Sequence, residues 1–232
     1  VMEFDKSVLT AQENEPVRIT ERIPAKELIV TPKGERLVDF GQNLTGLVEV
    51  KIRGEKGQKI VIHHAETLDK DGNFYPETLR SAKSEDTYIC NGEEQTFLPH
   101  FTFHGFRYIK VDGIEEMKPE MFTACVMHSD MEQTGTFSCS NKKVNQLQSN
   151  ISWGMRDNFL DIPTDCPQRD ERLGWMGDAP LSSEIRRCSL RNGGGMLLRL
   201  LHRNRGSLMW FPISWNSTAL PHGATLRSSF RG

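Results

Sequence analysis

Residues 165–179 read DCPQRDERLGWMGDA. This stretch gathers the carboxylates Asp165, Asp170, Glu171 and Asp178, the arginines Arg169 and Arg172, and Trp175. Pro163 and Pro167 stiffen the approach, while Gly174 and Gly177 let the backbone turn tightly. A solvated helix face spaces its charges at helical period and does not mix them with prolines, glycines and a tryptophan. The composition predicts a carboxylate-rich loop aimed at a polar ligand. The loop also follows a change of pattern in the chain, and that change sets the expected fold.

Upstream the pattern is β. Val48, Val50 and Ile52 alternate with Glu49, Lys51 and Arg53, the period of a half-buried strand. Gly54 ends that run, and Ile60-Val61-Ile62 follows Gly57. Asp71-Gly72 and Asn91-Gly92 are hairpin-type turn signals, the second flanked by Thr87-Tyr88-Ile89-Cys90 and Thr96-Phe97-Leu98. Phe101 and Phe103 are expected on one face of a strand. Gly105 is expected to mark a bulge before Phe106 to Val111, and Met121 to Met127 reads as a buried strand. Short strands at this spacing predict an antiparallel sandwich. After residue 138 the period becomes helical. Ser140 or Asn141 can cap a helix that carries Val144, Leu147 and Ile151 to about residue 159, and a second helix is expected from Gly177 or Asp178.

The 232 residues suffice for one large domain or parts of two. No apolar run approaches the roughly 20 residues that span a bilayer, and no signal peptide opens the sequence. The five cysteines are Cys90, Cys125, Cys139, Cys166 and Cys188, with no CxxC spacing. They argue against a disulfide scaffold and a structural zinc site and fit a reducing compartment; a cytoplasmic location is slightly favoured, although a fragment that begins at Val1 would not show a signal peptide. The net charge of −2 hides a split: residues 185–232 hold eight arginines and no lysine, aspartate or glutamate. A frame-shifted, non-native end accounts for such a tail, and so does a basic arm; the first is favoured because acids and lysines vanish together. Without aromatic interleaving, the arginines do not predict a nucleic-acid partner.

Crowded carboxylates suit glycosidic cleavage. One protonated carboxyl group protonates the leaving oxygen, and a second carboxylate serves as base or nucleophile. Neighbouring acids raise one another's pKa and so help one keep its proton. Trp175 can stack on the apolar face of a sugar, and arginines can grip hydroxyls or hold the carboxylates. The competing account is a capping and salt-bridge cluster at a helix start. Cys166 is read as a small buried residue rather than a nucleophile. His100 and His104 lie in a run read as strand, which puts them roughly 13 Å apart and rules out a shared ion; His63 and His64 face opposite sides of theirs. Asp69, Asp71 and Asn73 mimic the start of a calcium loop, but Phe74 and Arg80 stand where Gly and Glu belong, so a surface hairpin turn is expected. No metal site is predicted.

The 165–179 stretch resembles the signature of bacterial α-L-rhamnosidases of glycoside hydrolase family 78. Other segments agree in order: Asp39-Phe40-Gly41-Gln42-Asn43 with Thr45-Gly46, His64-Ala65-Glu66, Leu79-Arg80-Ser81-Ala82-Lys83, Asp86-Thr87-Tyr88 and Phe103-His104-Gly105-Phe106-Arg107-Tyr108. The resemblance covers roughly residues 8–184. It implies a β-sandwich domain over 1–135, then the beginning of an all-α (α/α)6 barrel over 136–232, with 185–232 atypical. It implies inverting hydrolysis of terminal α-L-rhamnose from rhamnosides or rhamnose-containing polysaccharides, without an organic cofactor. Under it Glu171 is the general acid, Asp165 and Asp178 bind the rhamnose hydroxyls, and Trp175 belongs to the sugar-contacting wall. Arg169 and Arg172 match the motif as substrate-binding residues. The barrel and the general base are incomplete here, so the chain is expected to be a fragment, inactive alone. A non-catalytic carbohydrate-binding protein and a glycosidase of other specificity are the alternatives. No membrane partner is expected, and the oligomeric state is left open.

Overall fold

The structure is a computed structural model that describes residues 4–12, 14–133, 135–171 and 174. Eight strands make one antiparallel sheet: β1 (Val17–Pro24), β2 (Glu27–Val30), β3 (Arg36–Arg53), β4 (Lys59–Ala65), β5 (Glu85–Ile89), β6 (Glu94–Phe97), β7 (His104–Asp112) and β8 (Phe122–Ser129). The order is β1-β8-β3-β7-β4-β5, with β2 and β6 also on β3. The long strand β3 is the spine. Its first residues pair with β2 on one side and its middle with β8. On the other side it pairs with β7 and then with β6.

β3 serves both ends because it bends. Asp39 pairs with Tyr108 and Leu44 with Phe106, so residues 40–43 bulge opposite Arg107 alone. Gly41 takes φ +77°, a conformation open to glycine. The Asp39 carboxylate accepts from the Gly41 amide and receives the Arg107 fork through Nε and Nη2, both at 2.8 Å. Burial pushes the Asp39 pKa up, but Arg107 and the Gly41 amide outweigh it and hold the group below its ordinary value.

The bend curls the sheet around one core of Val38, Leu44, Val48, Val50, Ile60, Ile62, Phe106, Ile109 and Phe122. The expected alternation holds in β3, where Val48, Val50 and Ile52 are buried while Lys51 and Arg53 are exposed. The expected pair of separate sheets is replaced by one curled sheet, because β3 belongs to both of its halves.

Other local expectations change too. Gly92 turns with φ +99°, but β5 pairs with β4 and β6 with β3, so Asn91-Gly92 joins strands that do not pair with each other. Phe101 takes φ +61° and lies fully exposed, so the strand begins only at His104. Asp69 does close a turn, its carboxylate accepting from the amides of Asp71 and Asn73, with Leu68 bridged to Phe74.

The helix α1 (Lys142–Asp157) is capped by Asn141, whose side chain accepts from the Lys143 amide at 3.0 Å. Trp153 packs against the sheet core, while Val144 and Leu147 are exposed. The last helical residue docks into β3: the Thr45 amide donates to Asp157 Oδ1 at 3.0 Å, and the Thr45 hydroxyl donates to its carbonyl at 2.8 Å. Burial pushes the Asp157 carboxyl up to about 7. Among the described residues no helix is long and apolar enough to cross a membrane.

Candidate active site

Two short strands, β9 (Phe159–Leu160) and β10 (Ile162–Pro163), pair tightly after α1 and deliver the chain into the 165–171 loop. Asp161 sits between them at φ +65°, its amide donating to Ser129 Oγ at 2.9 Å. This ties the entrance of the loop to the end of β8.

The floor is β7. A Cβ on Gly105 would come within 2.8 Å of Pro167 Cγ and 3.0 Å of Gln168 Cβ. Gly105 therefore marks a close approach of the loop to the sheet, and it pairs in register with Thr45. The bulge expected at Gly105 lies instead in β3, at residues 40–43.

Arg169 organises the loop. Its Nε donates to Cys166 Sγ at 3.0 Å, and its Nη2 lies 3.4 Å from Asp165 Oδ2 and 2.8 Å from Glu171 Oε2. Cys166 is buried, and its thiol donates to Asp165 Oδ2 at 3.2 Å. Burial, then the hydrogen bond to Asp165, raises the thiol pKa, which opposes a thiolate nucleophile. Glu171 keeps 30 % of its side chain exposed, enough to meet a ligand. Asp165, Cys166 and Glu171 bring ligand-type atoms within 4.8 Å of one another. The Arg169 guanidinium among them supplies the positive charge that a cation would bring.

The sheet domain reaches the same loop. Arg80 Nη1 lies 3.0 Å from Glu171 Oε2, and Ser81 Oγ donates to Asp170 Oδ2. The Ser81 bond holds the Asp170 carboxyl below its ordinary pKa. Neither Arg80 nor Ser81 was assigned a role from sequence, because each is about ninety positions from its partner and no spacing signal links them. Of the predicted site residues, the structure brings together Asp165, Arg169 and Glu171. Arg172, Trp175 and Asp178, and the second helix expected from 177 or 178, lie outside the described residues.

A second polar cluster lies under the Arg80 turn. The His64 and His104 rings stack at 4.0 Å with planes 17° apart. His64 Nδ1 donates to the Ser84 carbonyl at 3.1 Å, while His104 Nδ1 pairs with Ser84 Oγ at 3.1 Å and its Nε2 with Asp86 Oδ1 at 3.3 Å. Burial pushes His64 down to about 3. His64, Asp86 and His104 are ligand-type residues with ligand atoms within 4.8 Å of one another, His64 Nε2 lying 3.7 Å from Asp86 Oδ2. Ser84, His104 and Asp86 are connected like a nucleophilic triad, yet Ser84 and His104 are buried. The cluster is a support for the Ser84 backbone.

Comparison with known proteins agrees with this architecture. Residues 29–128 match the bacterial alpha-L-rhamnosidase concanavalin-like domain, and residues 132–206 match the bacterial alpha-L-rhamnosidase 6 hairpin glycosidase domain. The second match runs past Glu184 into the arginine-rich stretch. An alpha-L-rhamnosidase of Streptomyces avermitilis is 44% identical over 173 residues, which are 73% of this chain and 17% of that protein. One from Formosa agariphila is 44% identical over 68% of this chain and 17% of its own length. Among solved structures, the Streptomyces avermitilis alpha-L-rhamnosidase complexed with L-rhamnose superimposes with a TM-score of 0.80 at 39% identity, covering 85% of this chain and 19% of that one. The native enzyme of Aspergillus terreus gives 0.80 at 40% identity, covering 88% and 24%. The chain thus spans about a fifth of the length of these relatives.

A concanavalin-like, sheet-rich domain that runs into the start of a six-hairpin domain is the framework of a glycoside hydrolase. The chain belongs to the bacterial α-L-rhamnosidases of glycoside hydrolase family 78.

Proposed function

We propose that the full-length protein carrying this chain hydrolyses terminal non-reducing α-L-rhamnose from rhamnosides, inverting the anomeric centre. The observation that carries this reading is Arg169 bridging Asp165 and Glu171 within the signature loop. Glu171 is the general acid, donating its proton to the glycosidic oxygen as the bond to the anomeric carbon breaks. A carboxylate outside this chain removes a proton from the water that attacks from the opposite face, at a separation that leaves room for that water. Asp165 and Asp178 receive the sugar hydroxyls, Arg169 and Arg172 hold carboxylates and hydroxyls, and Trp175 forms a wall of the sugar site. The helical segment that opens with α1 begins an (α/α)6 barrel over 136–232, with the sheet domain occupying 1–135 and 185–232 set apart by composition. The substrates are rhamnose-containing glycosides or polysaccharides, and this chain by itself is inactive.

The test is Glu171→Gln in the full-length enzyme. The amide keeps the shape and has no proton to give. Turnover of rhamnosides with poor leaving groups should fall by about 10²- to 10⁴-fold, while rhamnose binding by calorimetry stays nearly intact. Equal loss of binding and turnover would contradict the general-acid role. Cleavage of aryl glucosides or xylosides but not rhamnosides would contradict the substrate.

A further inference from the structure

We propose that the Arg80–Ser81 turn of the sheet domain is a positioning element of the catalytic loop, with Arg80 orienting Glu171 and Ser81 orienting Asp170. The proposal rests on the reading of Glu171 as the general acid. Two guanidinium groups converge on one oxygen, Glu171 Oε2: Arg169 at 2.8 Å from within the loop and Arg80 at 3.0 Å from across the domain boundary. Contact from two directions fixes the place of that oxygen and leaves Oε1 as the other end of the carboxyl group. Ser81 Oγ holds the neighbouring Asp170, so adjacent loop residues are gripped by adjacent turn residues.

The turn is built to hold this pose. Arg80 sits at φ +55° and ψ −120°, a conformation that residues with a side chain rarely adopt. Such strain persists only where the flanks over-determine it. On the near side, the Arg80 amide donates to the Glu77 carbonyl and the Ala82 amide to the Leu79 carbonyl, with Leu79 buried. On the far side Ser84 is bound three times: its carbonyl accepts from the His64 amide at 2.9 Å and from His64 Nδ1, and its hydroxyl pairs with His104. The stacked histidines thereby fix the turn, and Gly105, next to His104, carries the loop on the other side.

Stability is not what Arg80 supplies. More than half of its side chain is exposed, and ion pairs of that kind contribute little to folding. Orientation of a proton donor is a different matter, since a misplacement of about 1 Å costs about 10²-fold in rate.

The test uses the full-length enzyme and two substrates, methyl and 4-nitrophenyl α-L-rhamnoside. The first needs its leaving oxygen protonated and the second scarcely does. Arg80→Ala should lower kcat on the methyl glycoside by about 10- to 100-fold, with KM and the thermal midpoint nearly unchanged. The loss on the nitrophenyl glycoside should be several times smaller. Added guanidinium ion should restore part of the lost rate, and Arg80→Lys should fall between wild type and alanine. Ser81→Ala should show the same pattern more weakly. In a Glu171→Gln background Arg80→Ala should add nothing. Equal loss on both substrates, additive loss on Glu171→Gln, or a loss confined to KM overturns the proposal. If Glu171→Gln spares the methyl glycoside, the general-acid reading fails first and the proposal with it. If Glu171→Gln behaves as expected and Arg80→Ala does not, the proposal fails alone.

Discussion

At Gly46 the sheet leaves no space: a Cβ there would stand 1.9 Å from the Cys125 carbonyl oxygen. The 165–171 loop, a few residues beyond the helix, is secured by a handful of side-chain contacts centred on Arg169, with Arg80 and Ser81 reaching in from the sheet. One region is closed by backbone ladders and apolar packing, the other by charge and single hydrogen bonds. The first kind of contact resists any change of volume. The second fixes a few atoms and contributes little to global stability. The division fits the proposed roles: a sheet that keeps its shape, and a loop whose Glu171 carboxyl group remains partly exposed.

The largest expected effect comes from breaking the sheet at its closest approach. Gly46→Ala places a methyl group against backbone that cannot rotate away. It should destabilise the protein by about 3 kcal/mol or more, or abolish folding, as measured by urea unfolding. A loss below about 1 kcal/mol would mean that β3 and β8 can separate without cost, and the contrast between the two regions would collapse.

Next in size is the contact where helix meets sheet. The folded Asp157 carboxyl holds its proton up to about pH 7, whereas the unfolded chain releases it near the ordinary value of 3.8. Between those values the native state binds more protons than the unfolded state, so stability falls as pH rises and the loss is complete above pH 7. Asp157→Asn keeps an oxygen for the Thr45 amide and removes the titration. It should flatten this part of the pH profile and, at pH 8, raise stability by on the order of 1–3 kcal/mol. His64 works in the opposite sense. Its folded pKa of about 3 lies below the ordinary 6.5, so its contribution to stability is present above 6.5 and fades as pH falls toward 3. The Asp157 term is isolated by comparing the two proteins at each pH, where the His64 term cancels.

The smallest effect on folding should come from Gly105→Ala. Its methyl group meets Pro167 and Gln168 of the loop, which can shift where the sheet cannot. Stability should change by less than about 1 kcal/mol, while rhamnoside turnover by the full-length enzyme drops by about tenfold or more. A variant that loses stability and activity in proportion would show that loop and sheet are one packing unit.

What the sequence made legible was local. The alternation of Val48, Val50 and Ile52 located β3, and the pair Ser140 and Asn141 located the start of α1, where Asn141 proves to be the cap, because a strand period and a cap are both written within a few residues. Asn91-Gly92 misled for the complementary reason. A turn signal states that the chain reverses but not which strand will accept the hydrogen bonds, and here β5 found β4 while β6 found β3. The single curled sheet was hidden because it depends on a four-residue bulge, pinned by an arginine 68 positions away. At the site, the charges packed into 165–171 announced a polar loop, and they do pair within it through Arg169. The motif assigned Asp165, Arg169 and Glu171, and those are the residues that meet. Arg80 stayed invisible as a partner because its relation to Glu171 exists only once β4, β5 and β7 have brought Ser84 into place.

The long strand β3 also decides where this polypeptide can be rearranged. Residues 36–53 hold hydrogen bonds to β2, β6, β7 and β8 along successive stretches, so new termini opened inside them would break the one strand that joins all four neighbours. The Asp69–Phe74 turn is the opposite kind of place: its tip, Lys70 and Asp71, is exposed, while Asn73 and Phe74 anchor its base through the Lys33 amide and the Glu35 carboxylate. A circular permutant or an inserted reporter belongs there: the spine would remain continuous, and the turn that carries Arg80 would still begin from its native anchor at Leu79.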